Sequence, residues 1–188
     1  MSIAIPPRPQ TLADLAGVEG KAELVAGRIV RYMATGRIPS RISKRITRSL
    51  DDHEIRTGLG ESFGDSLGYA LPQPLPNGRQ SFQPDASYYI GPAPYDEESF
   101  VEGVPTFAAE VRSEHDYTPG KDRDYEAKRA DYFAAGTVVV WDVNYRAETV
   151  SKYTAADPLT PTVFRRGEVA DAEPAVPGWR LPVDDIFA

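Results

Sequence analysis

The run Thr137-Val138-Val139-Val140-Trp141 constrains the fold more than any other stretch. It is rich in β-branched residues and stays almost wholly apolar to Val143, so it fits a strand buried on both faces. Ahead of it, a helix opens at Asp122 or Asp124 and ends near Ala135, where Gly136 suits a left-handed stop. Ahead of that helix, Thr106 to Ser113 has the composition of a core strand. Strand, helix and strand in that order over 106–143 predict a crossover, right-handed by the general rule, between neighbours in one sheet.

Hairpins on either side make the sheet mixed. Lys21–Val25 and Arg28–Tyr32 flank Ala26-Gly27, a two-residue hairpin signal. A turn near Asn144–Ala147 leads to a strand over Glu148–Thr154, and another spans Thr162–Arg166. The class is therefore α/β or α+β, a central mixed β-sheet flanked by helices. Residues 1–10 form a proline-rich tail, and with no linker or repeat beyond it, 11–188 is expected to be a single domain. Thr11 can cap a short helix with Asp14 as its partner.

Pro39-Ser40 is expected to start a longer helix, with Ser40 as a cap and Ile42, Ile46 and Leu50 on one face. The other side carries Arg41, Lys44, Arg45 and Arg48, either a solvated face or a phosphate-facing strip. Gly58, Gly60 and Gly64 lack the spacing and the strand–turn–helix setting of a dinucleotide site. Strands are predicted over 66–75 and 81–90, joined by the turn Pro76-Asn77-Gly78-Arg79, with Pro84 near the start of the second or at an irregularity. Loops are predicted over 91–105 and 114–122.

With 21 basic against 28 acidic residues the net charge is −7. Such a chain binds nucleic acid poorly unless a local basic surface or a metal assists. The absence of cysteine excludes disulfides, thiolate nucleophiles and cysteine-ligated zinc. The N-terminus has no secretory pattern, and no apolar run approaches the roughly 18 residues of a membrane helix. A cytoplasmic protein without a membrane role is expected.

Three charged residues stand where apolar ones belong. Asp85 follows Pro84, Glu110 lies within Phe107-Ala108-Ala109-Glu110-Val111-Arg112, and Lys128 shares a helix face with Tyr125 and Tyr132. A carboxylate in a core strand needs compensation, either Arg112 on its own face or a metal. Magnesium takes one or two carboxylates with water and phosphate oxygens, which Asp85 and Glu110 can supply. Lys128 would then orient water or stabilise charge developing on a phosphate.

These motifs resemble the PD-(D/E)xK nuclease superfamily with its restriction-endonuclease-like fold. More closely, most of the chain resembles the bacterial Uma-two family of restriction-endonuclease-like proteins. The resemblance rests on Glu23-Leu24 with Gly27 and Val30 in the hairpin, on Pro84-Asp85, and on Glu110-Val111 with Ser113. It continues through Lys128, Tyr132 and Gly136, Trp141-Asp142, and Pro177-Gly178-Trp179-Arg180-Leu181 with Ile186-Phe187. It implies that Asp85, Glu110 and the Val111 carbonyl bind Mg²⁺ or Mn²⁺, and that Asp85, Glu110 and Lys128 are catalytic. DNA is the implied substrate, and a homodimer suits cutting two strands. The superfamily's lysine position is Arg112 here, an auxiliary candidate, and Glu23 is a further acid for water or metal. Departures are Pro39-Ser40 where a histidine is usual, Glu114 for a proline and Val140 for a tyrosine.

Two other readings remain: a nuclease-like fold serving only as a binding module, and a glycoside hydrolase using Asp85 and Glu110, which leaves Lys128 idle. His53 is expected at the surface, and His115 on a loop. Ser113, His115 and Asp116 have the residue types of a triad but lie too close in sequence to form its geometry.

Overall fold

The computed structural model describes residues 8–92 and 98–188. The N-terminal part follows the order α1 (Leu12–Ala16), β1 (Ala22–Val25), β2 (Arg28–Arg31), α2 (Arg37–Thr57), β3 (Glu61–Gly64), β4 (Tyr69–Ala70), β5 (Ser81–Phe82), β6 (Ala86–Tyr89) and β7 (Val101–Glu102). Then come β8 (Phe107–Val111), α3 (Lys121–Ala135), β9 (Val139–Asn144), β10 (Thr149–Thr154), β11 (Asp157–Phe164), β12 (Val169–Asp171), β13 (Arg180–Pro182) and α4 (Val183–Ile186). Among the described residues no helix is long and apolar enough to cross a membrane.

The apolar run at 137–143 lies where its composition demands. β9 is an interior strand of a six-stranded sheet ordered β11-β10-β9-β8-β6-β3, and it runs parallel to β8 after the α3 crossover. The other pairings in that sheet are antiparallel, so the sheet is mixed. Alternation along β8 divides its residues between two cores. Phe107, Ala109 and Val111 join Trp141, the α2 residues Ile42, Ile46 and Leu50, and the C-terminal Trp179 and Ile186. Ala108 and Val140 face the other way, toward Tyr132 of α3 and toward Tyr69 and Phe82 of a small sheet, β5-β4-β7. Glu110 shares that second face and so points to α3.

The β1–β2 hairpin docks on this second layer through a glycine. Gly78 has φ +85°, and a Cβ there would meet the Ala26 Cα at 2.7 Å. The bare backbone lets Ala26 N–H donate to Gly78 O at 2.8 Å, and Gln80 N–H donates to Leu24 O at 2.9 Å. The contact fixes β1 over β5 and turns Glu23 inward.

Several expectations need correction. Helix α2 starts at Arg37 with Gly36 as its N-cap; Pro39 fits inside the first turn, where its missing N–H costs no helical bond. Of 66–75 only Tyr69 and Ala70 are strand, and the 81–90 stretch is two strands in different sheets, broken at Gln83–Asp85. β3 was hidden among glycines, and β7 lies inside the expected loop, of which residues 93–97 fall outside the described residues. Residues 1–7 of the expected tail also fall outside them. The last strand of the sheet covers Asp157–Phe164 rather than 162–166; Pro158 and Pro161 are tolerated because β11 is an edge. Residues 114–117 form a 3₁₀ turn, capped by Ser113 and Asp116. His53 is buried, edge-on to Tyr88, instead of lying at the surface.

Trp179 ties the C-terminal segment to the sheet. It is 1% exposed, stacks on Trp141 at 5.0 Å, and donates from Nε1 to Ser49 Oγ of α2 at 3.0 Å. Trp179→Ala is expected to cost about 3–5 kcal/mol in urea unfolding. A loss below about 1 kcal/mol would show that the segment adds little to the core.

Candidate functional site

Helix α3 brings Lys128 inward on the face shared with Tyr125 and Tyr132, and its ammonium lies between two acids. Nζ is 2.8 Å from Glu110 Oε1 and 2.9 Å from Glu23 Oε1. Tyr132 OH donates to the same Glu110 oxygen at 2.7 Å. Glu110 therefore takes its compensation from Lys128 and Tyr132, not from Arg112 beside it. Arg112 instead grips Asp142 with Nε and Nη2 at 2.9 and 2.8 Å, reaches Asp122, and lies over the Tyr125 ring.

The two acids on Lys128 differ in what else they touch. Glu23 is wholly buried and accepts from four groups. Its Oε1 takes Lys128 and Gln83 N–H, and its Oε2 takes Tyr32 OH at 2.7 Å and Arg79 Nη1 at 2.5 Å. Arg79 also donates from Nε to Asp131, which Asn77 bonds as well. Burial alone would raise the Glu23 carboxyl, but Lys128 and Arg79 outweigh it and hold its pKa at about 2. No lone pair on Glu23 is left for a metal or water, so its visible role is to hold Lys128.

Glu110 has the opposite character. Burial pushes its carboxyl above the ordinary value; Lys128 and Lys21 pull it back, while Asp85 and Glu23 add to the rise. Oε1 is engaged, whereas Oε2 makes no hydrogen bond among the described residues. The Glu110 side chain is 11% exposed. Lys128 stays an ammonium: burial opposes its charge, but Glu110 and Glu23 more than restore it and raise its pKa. It can stabilise negative charge but cannot serve as a base.

Asp85 sits at the break before β6 and is fixed by backbone. Its N–H donates to Ala109 O at 3.1 Å, Val111 N–H donates to its Oδ2 at 2.7 Å, and Ser43 Oγ of α2 donates to its carbonyl at 2.6 Å. Lys21 Nζ lies 2.5 Å from its Oδ1. Asp85 and Lys21 both act on the Glu110 carboxyl, so the three charges share one neighbourhood. Lys21 thus places a cation on Asp85, within electrostatic reach of Glu110. Four acids (Glu23, Asp85, Glu110, Asp131) meet three bases (Lys21, Arg79, Lys128), leaving one negative charge in excess. A divalent ion in place of Lys21 would bring that sum to zero. Among the described residues no three acidic, histidine or cysteine side chains gather as a metal group. Such an ion would rest on the two carboxylates, a number Mg²⁺ commonly takes. The donor set fits it.

Asp85, Glu110, Lys128 and Glu23 thus converge, as does the Val111 backbone, which meets Asp85 through its N–H. Sequence reasoning missed Lys21, Tyr32, Arg79 and Asp131. Asp131 had a signal, since it lies three residues after Lys128 on the same helix face. Ser113 and Asp116 bond each other in a cap while His115 is exposed, so no triad forms.

Comparisons with known proteins agree with this arrangement at the level of the fold. The sequence matches, over residues 9–184, the model of a family named Uma2 and described as "Putative restriction endonuclease". The fold is similar to the crystal structure of a putative nuclease of DUF820 from Anabaena variabilis. The TM-score is 0.74 at 17% identity, covering 95% of this chain and 98% of that one. No curated protein matches the sequence.

The contrast between Glu23 and Glu110 is testable. Glu23→Gln is expected to cost about 3–5 kcal/mol at neutral pH, since it strips Arg79 and Lys128 of a buried partner. A carboxyl held at about 2 contributes stability that is full above its ordinary value of 4.5 and is lost as pH falls through about 2. The cost should therefore shrink between pH 7 and pH 3 in urea titrations. Glu110 has the reverse sign, its raised pKa weakening the fold as pH rises. Glu110→Gln should cost under about 1 kcal/mol or stabilise at neutral pH. Equal losses in both variants would contradict the division.

Proposed function

The chain belongs to the Uma2 family, and on that footing we propose that it is a divalent-metal-dependent endonuclease hydrolysing DNA phosphodiester bonds. The observation that carries this reading is the convergence of Asp85, Glu110 and Lys128, with the Glu110 side chain still 11% exposed. Asp85 and Glu110 would hold Mg²⁺ or Mn²⁺, with the Val111 carbonyl as a further donor. When bound, the ion would polarise the phosphate and acidify a water.

The chain's own residues do the rest. Lys128, kept charged by Glu23, places a fixed ammonium where negative charge grows on the phosphate. Glu23, Arg79 and Tyr32 stop that ammonium from swinging away. Tyr132 sets the rotamer of Glu110 by bonding Oε1, which leaves Oε2 for the ion. Arg112, spread between Asp142 and Asp122, is an auxiliary that stiffens the end of β8. Two copies, each cutting one strand, would give double-strand cleavage.

One observation favours a second reading, a nuclease fold that only binds. Both Asp85 oxygens already have partners, Lys21 and the Val111 N–H. The two readings separate on metal binding and cleavage. Purified protein should nick or linearise plasmid DNA with Mg²⁺ or Mn²⁺. Asp85→Ala should abolish this, and Lys128→Met should slow it about 10²–10³-fold. In calorimetry Mn²⁺ should bind wild type, fail to bind Glu110→Ala, and bind Lys21→Met up to about fivefold tighter, the worth of a partly exposed ion pair. Absence of both Mn²⁺ binding and cleavage would favour the binding module. Cleavage undiminished in Asp85→Ala would remove the site.

A further inference from the structure

Helix α2 carries a row of exposed cations ahead of its first acids, Asp51 and Asp52. Arg37, Arg41, Lys44 and Arg48 follow i, i+4, i+7, i+11 spacing, so they form one stripe along the helix. No acid occurs between Arg37 and Leu50, in a chain whose net charge is −7. All four are exposed, and among the described residues none takes part in an ion pair, a side-chain hydrogen bond or a ring contact. Arg45, off the stripe, is tied to Ile186 O at 3.0 Å. The opposite face of α2, Ile42, Ile46, Leu50 and His53, is buried against the sheet, so the helix cannot roll to hide the stripe.

One residue of α2, a quarter-turn round the helix from the stripe, reaches the backbone of the candidate site. Ser43, adjacent to Lys44, donates to the backbone carbonyl of Asp85 at 2.6 Å. We propose that the Arg37–Arg41–Lys44–Arg48 stripe seats the phosphate backbone of duplex DNA flanking the bond presented to Asp85 and Glu110. This rests on the nuclease reading for its substrate, but not on catalysis.

Charge and length select the partner. Eleven residues of helix span about 16 Å. One DNA strand places a charge roughly every 3.4 Å of axis, so the stripe faces about five phosphates with four cations. Helix α2 contains no Phe, Tyr or Trp, so it offers no platform for stacking unpaired bases. A stiff, straight row of charges without stacking groups suits a duplex held straight by its own rigidity.

The test is fluorescence anisotropy with a 25-base-pair labelled duplex in EDTA, titrated at several NaCl concentrations. Each phosphate contact contributes about 0.9 to the slope of log affinity against log salt. The double variant Lys44→Gln/Arg48→Gln should lower the slope by about 2. The control Arg123→Gln/Arg165→Gln, exposed cations elsewhere, should leave it unchanged. An unchanged slope in the α2 variant, or an equal fall in the control, overturns the proposal. So does tighter binding of a single strand of the same length, or an equal stripe-dependent affinity for a polyglutamate peptide. Because metal is absent, a slope change in a protein that fails to cleave would keep the stripe and reject the nuclease. An unchanged slope in a protein that cleaves would do the reverse.

Discussion

The ammonium of Lys128 is the charge on which the second layer of the molecule depends. Glu23 and Glu110 come from a hairpin and a core strand, and both lie where a bare carboxylate would be costly. One cation from α3 serves both, so hairpin, sheet and helix are locked to one point. Removing Lys128 would leave both acids without their shared cation, and removing Glu23 would strip Lys128 and Arg79 of a buried partner. Arg79 extends the lock, binding Glu23 on one side and Asp131 of α3 on the other.

Sharing the lysine unequally gives the two acids different characters. Glu23 is saturated by four donors and ionises easily, so it behaves as fixed structure. Glu110 is pushed up by burial and is engaged at one oxygen only among the hydrogen bonds of the described residues. Asp85, the third acid of the group, is paired with Lys21.

How much of this the sequence discloses follows from how local each feature is. The β8–α3–β9 unit is legible because its period and its glycine stop lie within one stretch, and Lys128 is visible because Tyr125 and Tyr132 mark its face. The hairpin is legible from Ala26-Gly27. Arg79 is not, since its partners Glu23 and Asp131 lie 56 and 52 residues away and meet it only after the hairpin docks on Gly78. Lys21 is hidden for the same reason, 64 residues from Asp85. The burial of His53 could have been read from the stripe of Ile42, Ile46 and Leu50, which it extends by one turn. The first half of β11 is not legible, because Pro158 and Pro161 are unfavourable in a sheet interior and only tertiary placement shows that this strand has a free side.

The most direct measurement is a crystal structure of the protein soaked in Mn²⁺, with anomalous density to locate the ion. The account predicts one peak touching Asp85 and Glu110, the Lys21 side chain displaced from Asp85, and Lys128 still bonded to both Glu23 and Glu110. A peak elsewhere, no peak at saturating Mn²⁺, or Lys128 swung away from the two acids would contradict it.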